Sequence, residues 1–141
     1  MGSQMSDRFA DTSGWAALTD RSDLYHTQAV KAFEAVWQAG GRVVTTNYAL
    51  AELTGLFLRL RVSRTTQEEL FDEIRLDPSV LVVHMDATRD DDAWRLWRAR
   101  PDKLWTLTDC GSFEVMRQHG LVEAITNDHH VEQAGFVRLL K

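Results

Sequence analysis

Four carboxylates, Asp11, Glu52, Asp109 and Asp128, are spread along this 141-residue chain, and each sits where an acid is locally out of place. Three of them end an extended or apolar run and open a helix: Phe9-Ala10-Asp11-Thr12-Ser13, Leu104-Trp105-Thr106-Leu107-Thr108-Asp109 and Ala124-Ile125-Thr126-Asn127-Asp128. Glu52 is the only acid between Glu34 and Glu68 and lies within Tyr48-Ala49-Leu50-Ala51-Glu52-Leu53. Oxygen donors of this kind suit a hard cation, Mg²⁺ or Mn²⁺, whereas Zn²⁺ usually takes His and Cys in number. Carboxylates crowded into one pocket raise one another's pKa, so four of them persist as anions mainly when a cation is bound. Such a pocket supports attack of a metal-activated water on a phosphodiester.

Each acid also has a plainer reading. Asp11, Asp109 and Asp128 are placed as helix caps or first-turn acids, which the exposed N–H groups of a helix start favour. Glu52 has Ala49, Gly55 and Leu56 as helical neighbours, so its competing reading is a buried pair with an arginine. Asp90-Asp91-Asp92 is denser in acid, but three adjacent residues point around a helix, and the run reads as an exposed first turn.

The elements that must position these acids alternate between helical periodicity and short β-branched runs, which favours an α/β domain. Phe9-Ala10-Asp11 reads as a first strand. Ala29, Phe33, Val36 and Trp37 recur at helical spacing until Gly40-Gly41 stops them. Arg42 to Thr45 is a second strand, after which Thr46 or Asn47 caps the helix bearing Glu52. Thr65-Thr66-Gln67-Glu68-Glu69 has the form of a capping box, and Asp77-Pro78 ends the helix it opens. Val80 to His84 is apolar enough for a parallel strand covered on both faces. Asp90 opens a helix that Pro101 terminates, Asp109 opens another that Gly120 stops, and a strand from Val122 to Thr126, a short helix from Asp128 to Ala134 and a strand from Phe136 to Leu139 complete the chain. In an open parallel sheet, reactive groups gather beyond the carboxyl ends of the strands. Asp11 and Asp128 converge there if the first and fourth strands are neighbours where the winding reverses.

Composition bounds the rest. With 44% hydrophobic and 26% charged residues, the chain makes one compact domain over 5–141, while Met1-Gly2-Ser3-Gln4 before a second Met5 reads as a cloning scar. No apolar run approaches the roughly 18 residues a membrane span needs, and a lone Cys110 accords with a reducing cytoplasm. A net charge of −5 excludes nucleic-acid binding by bulk electrostatics. Local clusters remain: Arg59, Arg61 and Arg64, and Arg95, Arg98, Arg100 and Lys103, either of which could hold a phosphate chain beside an acidic centre. The histidines include no i, i+4 zinc pair, and His130 alone is a candidate for touching substrate. The spacing of Trp37 and Trp97 among apolar residues predicts core packing.

Taken together, Ala10-Asp11-Thr12-Ser13 with Trp15, Thr45-Thr46-Asn47-Tyr48-Ala49-Leu50-Ala51-Glu52, Leu107-Thr108-Asp109-Cys110-Gly111-Ser112-Phe113 and Thr126-Asn127-Asp128-His129-His130 resemble, in this order, the PIN domain, and within it the VapC-type toxins of bacterial toxin-antitoxin pairs. Val131 stands where that family usually has Phe. The resemblance implies a three-layer α/β/α sandwich around a mostly parallel sheet, a Mg²⁺ or Mn²⁺ site, and endonucleolytic cutting of RNA. It further implies a small antitoxin partner, a homodimer and a cytoplasmic location. Carried over by position, Asp11, Glu52, Asp109 and Asp128 are the metal-site and catalytic acids, with Thr12, Thr108 and Ser112 as supporting hydrogen-bonding groups. The alternative is a PIN-like module without catalysis that acts through an antitoxin as a co-repressor. A phosphatase of the haloacid-dehalogenase kind would need another Asp where Ser13 stands, and a phosphorelay receiver would need one where His84 stands.

Overall fold

The computed structural model describes residues 6–141; the proposed scar at 1–4 lies outside them. Five strands, β1 (Arg8–Ala10), β2 (Val43–Thr46), β3 (Val80–Val83), β4 (Glu123–Ile125) and β5 (Val137–Arg138), form one parallel sheet in the order β3-β2-β1-β4-β5. Seven helices flank it: α1 (Thr12–Thr19), α2 (His26–Gln38), α3 (Asn47–Arg59), α4 (Arg64–Leu76), α5 (Ala87–Ala99), α6 (Leu107–Gln118) and α7 (His130–Gln133).

Because successive strand residues point to opposite faces, each strand feeds two cores. Phe9, Val44, Leu81, Val83 and Ala124 pack with Phe113, Met116 and Trp105 on the α5 and α6 side. Ala10, Val43, Val80, Val82 and Ile125 pack with Trp15, Phe33, Leu53 and Phe57 on the α1 to α4 side. These are the three expected layers. The chain winds outward from β1 to β2 and β3, then crosses to β4 on the other side of β1. Register pairs Phe9 with Val44 on one side and with Ala124 on the other. The reversal therefore falls between β1 and β4, where such sheets leave a crevice for ligands.

Several local expectations change. The capping residue of α4 is Ser63, whose side chain accepts the Thr66 N–H at 3.1 Å, because the chain turns two residues before the Thr65-Thr66 signature. Helix α5 is capped by Asp86, so Asp90 lies inside its first turn, half-buried, and accepts a hydrogen bond from the Tyr48 hydroxyl. Likewise α6 starts at Leu107, capped by Thr106, which makes Leu107 and Thr108 helical. Strand β3 is an edge strand whose first three residues are only partly buried, so its apolar run reflects two helical covers without a second strand neighbour. Trp37 and Trp97 are 37% and 45% exposed; Trp37 leans on Phe33 and Trp97 on Trp94, ring to ring at the surface. Cys110 is fully buried in α6, and burial pushes its thiol up to about 11. Among the described residues no helix is long and apolar enough to cross a membrane.

The approach of α1 to β4 is set by one glycine. A Cβ at Gly14 would lie 2.1 Å from the backbone oxygen of Ile125, and backbone cannot yield as a flexible side chain would. Gly14→Ala is expected to lower unfolding free energy by about 3 kcal/mol or more, measured by urea denaturation. An unchanged midpoint would show that α1 is not seated against β4 in solution.

Candidate active site

A cleft of about 390 Å³ opens at the carboxyl ends of β1 and β4, and Asp11, Glu52, Asp109 and Asp128 all line it. Thr12, Thr108 and Ser112 line it too, with Ser13, Leu56, Arg59, Asn127 and His129. The four acids come from the end of β1, the middle of α3, the first turn of α6 and the loop after β4.

Asp11 is both helix cap and cleft acid. Its Oδ1 accepts the Gly14 N–H at 3.1 Å, capping α1, and the Ser13 hydroxyl at 2.8 Å. Its Oδ2 accepts the Thr126 hydroxyl at 2.5 Å. Thr126 Oγ1 in turn accepts the Asp128 N–H at 3.0 Å, while Ser13 Oγ accepts the Asn127 N–H at 3.0 Å. Two hydroxyls thus stitch β1 to the turn that presents Asp128. Burial is the dominant influence on the Asp11 carboxyl and raises it to about 6, with Asp128 nearby adding to the rise; the bonds from Thr126, Ser13 and Gly14 oppose it.

Asp109 occupies the third position of α6 and completes a capping box: its Oδ2 accepts the Thr106 N–H at 3.0 Å, while Thr106 Oγ1 accepts the Asp109 N–H at 3.0 Å. Its carboxyl is also raised, first by burial and then by Asp128 and Glu52, against the Thr106 bond and His130. Asp128 is fixed by its own turn, Oδ1 accepting the His130 N–H at 2.9 Å. Glu52 corrects its expected burial: it is exposed on the lip of the cleft, which explains how an acid is tolerated among Ala49, Gly55 and Leu56 with no arginine paired to it among the described residues. Thr12 reaches away from the acids, its hydroxyl donating to the Ala49 carbonyl at 3.2 Å and joining α1 to α3.

The two basic clusters part company. Arg59 follows Glu52 and Leu56 along one face of α3 and lines the cleft, whereas Arg95 and Arg98 line a separate hollow with Asp91 and Trp94. Arg100 pairs with Asp102 and lies over the Trp105 ring. Sequence reasoning missed Ser13 and Thr126, whose only signal is a hydroxyl beside each strand-end acid. It also gave His130 too small a part: the Nδ1 of His130 lies 3.4 Å from Asp109 Oδ2 and 3.2 Å from Asp128 Oδ1.

The donor set fits a divalent cation. Two half-buried carboxyls, Asp11 and Asp109, are pushed toward protonation by desolvation and by the charge of Asp128, and a nearby positive charge is what offsets both effects.

For Asp11, the folded-state value near 6 lies above the unfolded one of 3.8, so the folded protein binds the proton more tightly between them. Metal-free stability is therefore expected to fall as pH rises from about 4 to about 6, by up to about 3 kcal/mol from this group. Thermal melts in EDTA across that range should show the fall in the parent chain and a flatter profile in Asp11→Asn. Parallel profiles would exclude Asp11 as the source.

The chain matches the PIN domain family over residues 8–137. Two proteins named 23S rRNA-specific endonuclease VapC20, from Mycobacterium tuberculosis strains CDC 1551 and H37Rv, are each 35% identical over 133 residues, covering 93% of this chain and 96% of theirs. The crystal structure of Mycobacterium tuberculosis VapC20, described as a Sarcin-Ricin loop cleaving toxin, superposes with a TM-score of 0.81 at 31% identity, covering 94% of this chain and 98% of that one. The parallel sheet, the acid-lined cleft at its winding reversal and these likenesses agree: the chain belongs to the PIN domain family.

Proposed function

We propose that this protein is a metal-dependent endoribonuclease, the toxin of a toxin-antitoxin pair, acting in the cytoplasm on a structured ribosomal RNA loop. The observation that carries the reading is the convergence of Asp11, Glu52, Asp109 and Asp128 on one open cleft. Likeness to the VapC20 proteins, named for cleavage of 23S rRNA, supports the substrate class. The same likeness to a toxin supports a small antitoxin partner; a homodimer belongs to the proposal on the family resemblance alone.

A divalent cation supplies electrophilic stabilisation of phosphate charge and activation of the nucleophilic water. Asp11, Asp109 and Asp128, partly withdrawn from solvent, are the residues that would hold it. Glu52, exposed on the lip, is placed to orient the attacking water and receive its proton. The water oxygen bonds to phosphorus, the bond from phosphorus to the 3′ oxygen breaks, and that oxygen takes a proton. The products are a 5′-phosphate and a 3′-hydroxyl. Thr108 and Ser112 offer hydroxyls to the substrate side of the cleft, and Arg59 a guanidinium to the phosphate. Because the net charge is −5, a local cation of this kind must offset the repulsion of an RNA backbone.

Incubation of end-labelled RNAs, a sarcin-ricin stem-loop among them, with Mg²⁺, Mn²⁺ or EDTA should give discrete metal-dependent cuts with 5′-phosphate ends. Asp109→Asn keeps an oxygen for the Thr106 cap but loses the charge, and is expected to cut at least about 100-fold more slowly without loss of fold. Cyclic phosphate products, or equal cutting by the variant, would refute the mechanism. Arg59→Ala is expected to raise KM, leave kcat near the parent value, and lower the salt dependence of RNA binding by about one phosphate contact, measured by titration at several salt concentrations.

A further inference from the structure

We propose that His130 is a ligand of the same cation, which makes the site a mixed oxygen and nitrogen one that takes manganese(II) in preference to magnesium. The proposal rests on the metal-dependent reading above. Among the described residues, His130 Nδ1 is shielded from solvent and finds no hydrogen-bond partner. Buried ring nitrogens are normally satisfied, because the lost hydration is otherwise not offset. Yet this nitrogen stands 3.2 Å from Asp128 Oδ1 and 3.4 Å from Asp109 Oδ2 without a well-formed hydrogen bond to either. Two donors bound at right angles to one cation, with bonds of about 2.1 Å, lie about 3 Å apart. The nitrogen is spaced from each of these two oxygens as one ligand of an ion is from its neighbour.

The ring is held for this role. Asp128 Oδ1 accepts the His130 backbone N–H at 2.9 Å, so carboxylate and imidazole belong to one rigid turn. The neighbouring ring of His129 packs against that of His130 with centroids 4.4 Å apart. Single donor atoms of Asp128, His129 and His130 all lie within 4.8 Å of one another. His129 is the outer member, with a side chain 63% exposed and its Nδ1 3.8 Å from Asp128 Oδ1, so His130 is the ligand and His129 its packing support. Magnesium favours oxygen donors and retains water, whereas imidazole suits transition metals and carboxylate suits manganese. Adding one nitrogen to an acid set therefore shifts the choice away from magnesium.

Pulsed EPR of the full chain loaded with Mn²⁺ reads this directly, since a coordinated imidazole couples its ¹⁴N nucleus to the metal's electrons. The parent chain and His129→Ala should both show that coupling. His130→Asn should lose it and bind Mn²⁺ roughly 10-fold or more weakly, with Mg²⁺ affinity, measured by competition, changing far less. Bound Mn²⁺ without nitrogen coupling in the parent chain overturns the assignment and leaves the nuclease reading standing. Equal loss of both metals in His130→Asn also overturns it, marking the ring as structural support or as an ion-pair partner of Asp109 and Asp128. A parent chain that binds no Mn²⁺ overturns this proposal and the nuclease reading together. The parent spectrum decides the ligand question even if the variant fails to fold.

Discussion

The Asp11 carboxylate sits where β1, α1 and the turn after β4 meet, and it accepts hydrogen bonds from the Gly14 N–H, the Ser13 hydroxyl and the Thr126 hydroxyl. A hydroxyl has one proton to give. The contact of 3.1 Å between Ser13 Oγ and Thr126 Oγ1 is therefore a consequence of both oxygens facing the same carboxylate rather than a bond between them. Without an anion at this point the two hydroxyls lose their common acceptor, and the Asn127 and Asp128 N–H groups bonded to those same hydroxyls lose their orientation. The geometry of the second strand-end acid thus depends on the first. Opposing this arrangement is desolvation, which drives Asp11 toward protonation despite three donors. The cleft is locally well bonded and electrostatically unfavourable at once, the condition under which a cation binds strongly.

Capping a helix and lining the cleft turn out to be the same placement for two of the acids. Asp11 caps α1 through Oδ1 and Asp109 closes a capping box on α6 through Oδ2. A carboxylate oxygen has more than one lone pair, so Asp109 Oδ2 accepts the Thr106 N–H while lying 3.4 Å from His130 Nδ1 in the cleft, and Asp11 caps with Oδ1 while Oδ2 faces Thr126. The positive end of the α6 dipole lies behind Asp109, which favours its anionic form. Chemistry and fold therefore require the same residue at the same place, and only the charge distinguishes them: a neutral isostere would satisfy the helix.

This overlap explains what could be read from the chain. The order of elements and the choice of four acids that share one cleft were legible because apolar strand runs and acids at strand ends leave strong local marks, whereas the neighbouring of β1 and β4 entered only as a condition that the sheet order then met. Thr46 capping α3 was legible for the same reason. The start of α5 was not, since Asp86 and the Asp90-Asp91-Asp92 run are equally good first-turn signals, and the bond from the Met85 N–H to Asn47 that holds the chain just before the Asp86 cap comes from another segment. Trp37 and Trp97 read as core because helical spacing marks a face but not the depth at which it is covered. Ser13 and Thr126 were missed, and His130 was singled out only for substrate, because their partners lie in other segments and a hydroxyl or imidazole does not show what it will meet across the fold.

The bond between Thr126 and Asp11 spans 115 positions of the chain. Contacts of such long range form late, because nearly the whole polypeptide must be looped before they can be made. While the chain emerges from a ribosome, its first acid exists well before the hydroxyl that orients it and the aspartate that stands beside it. A nascent fragment that lacks the segment after β4 has no assembled cleft. Assembly of the cleft is in this way the last event of the chain's synthesis: the four acids cannot share one pocket until the segment after β4 has been released and has closed onto β1.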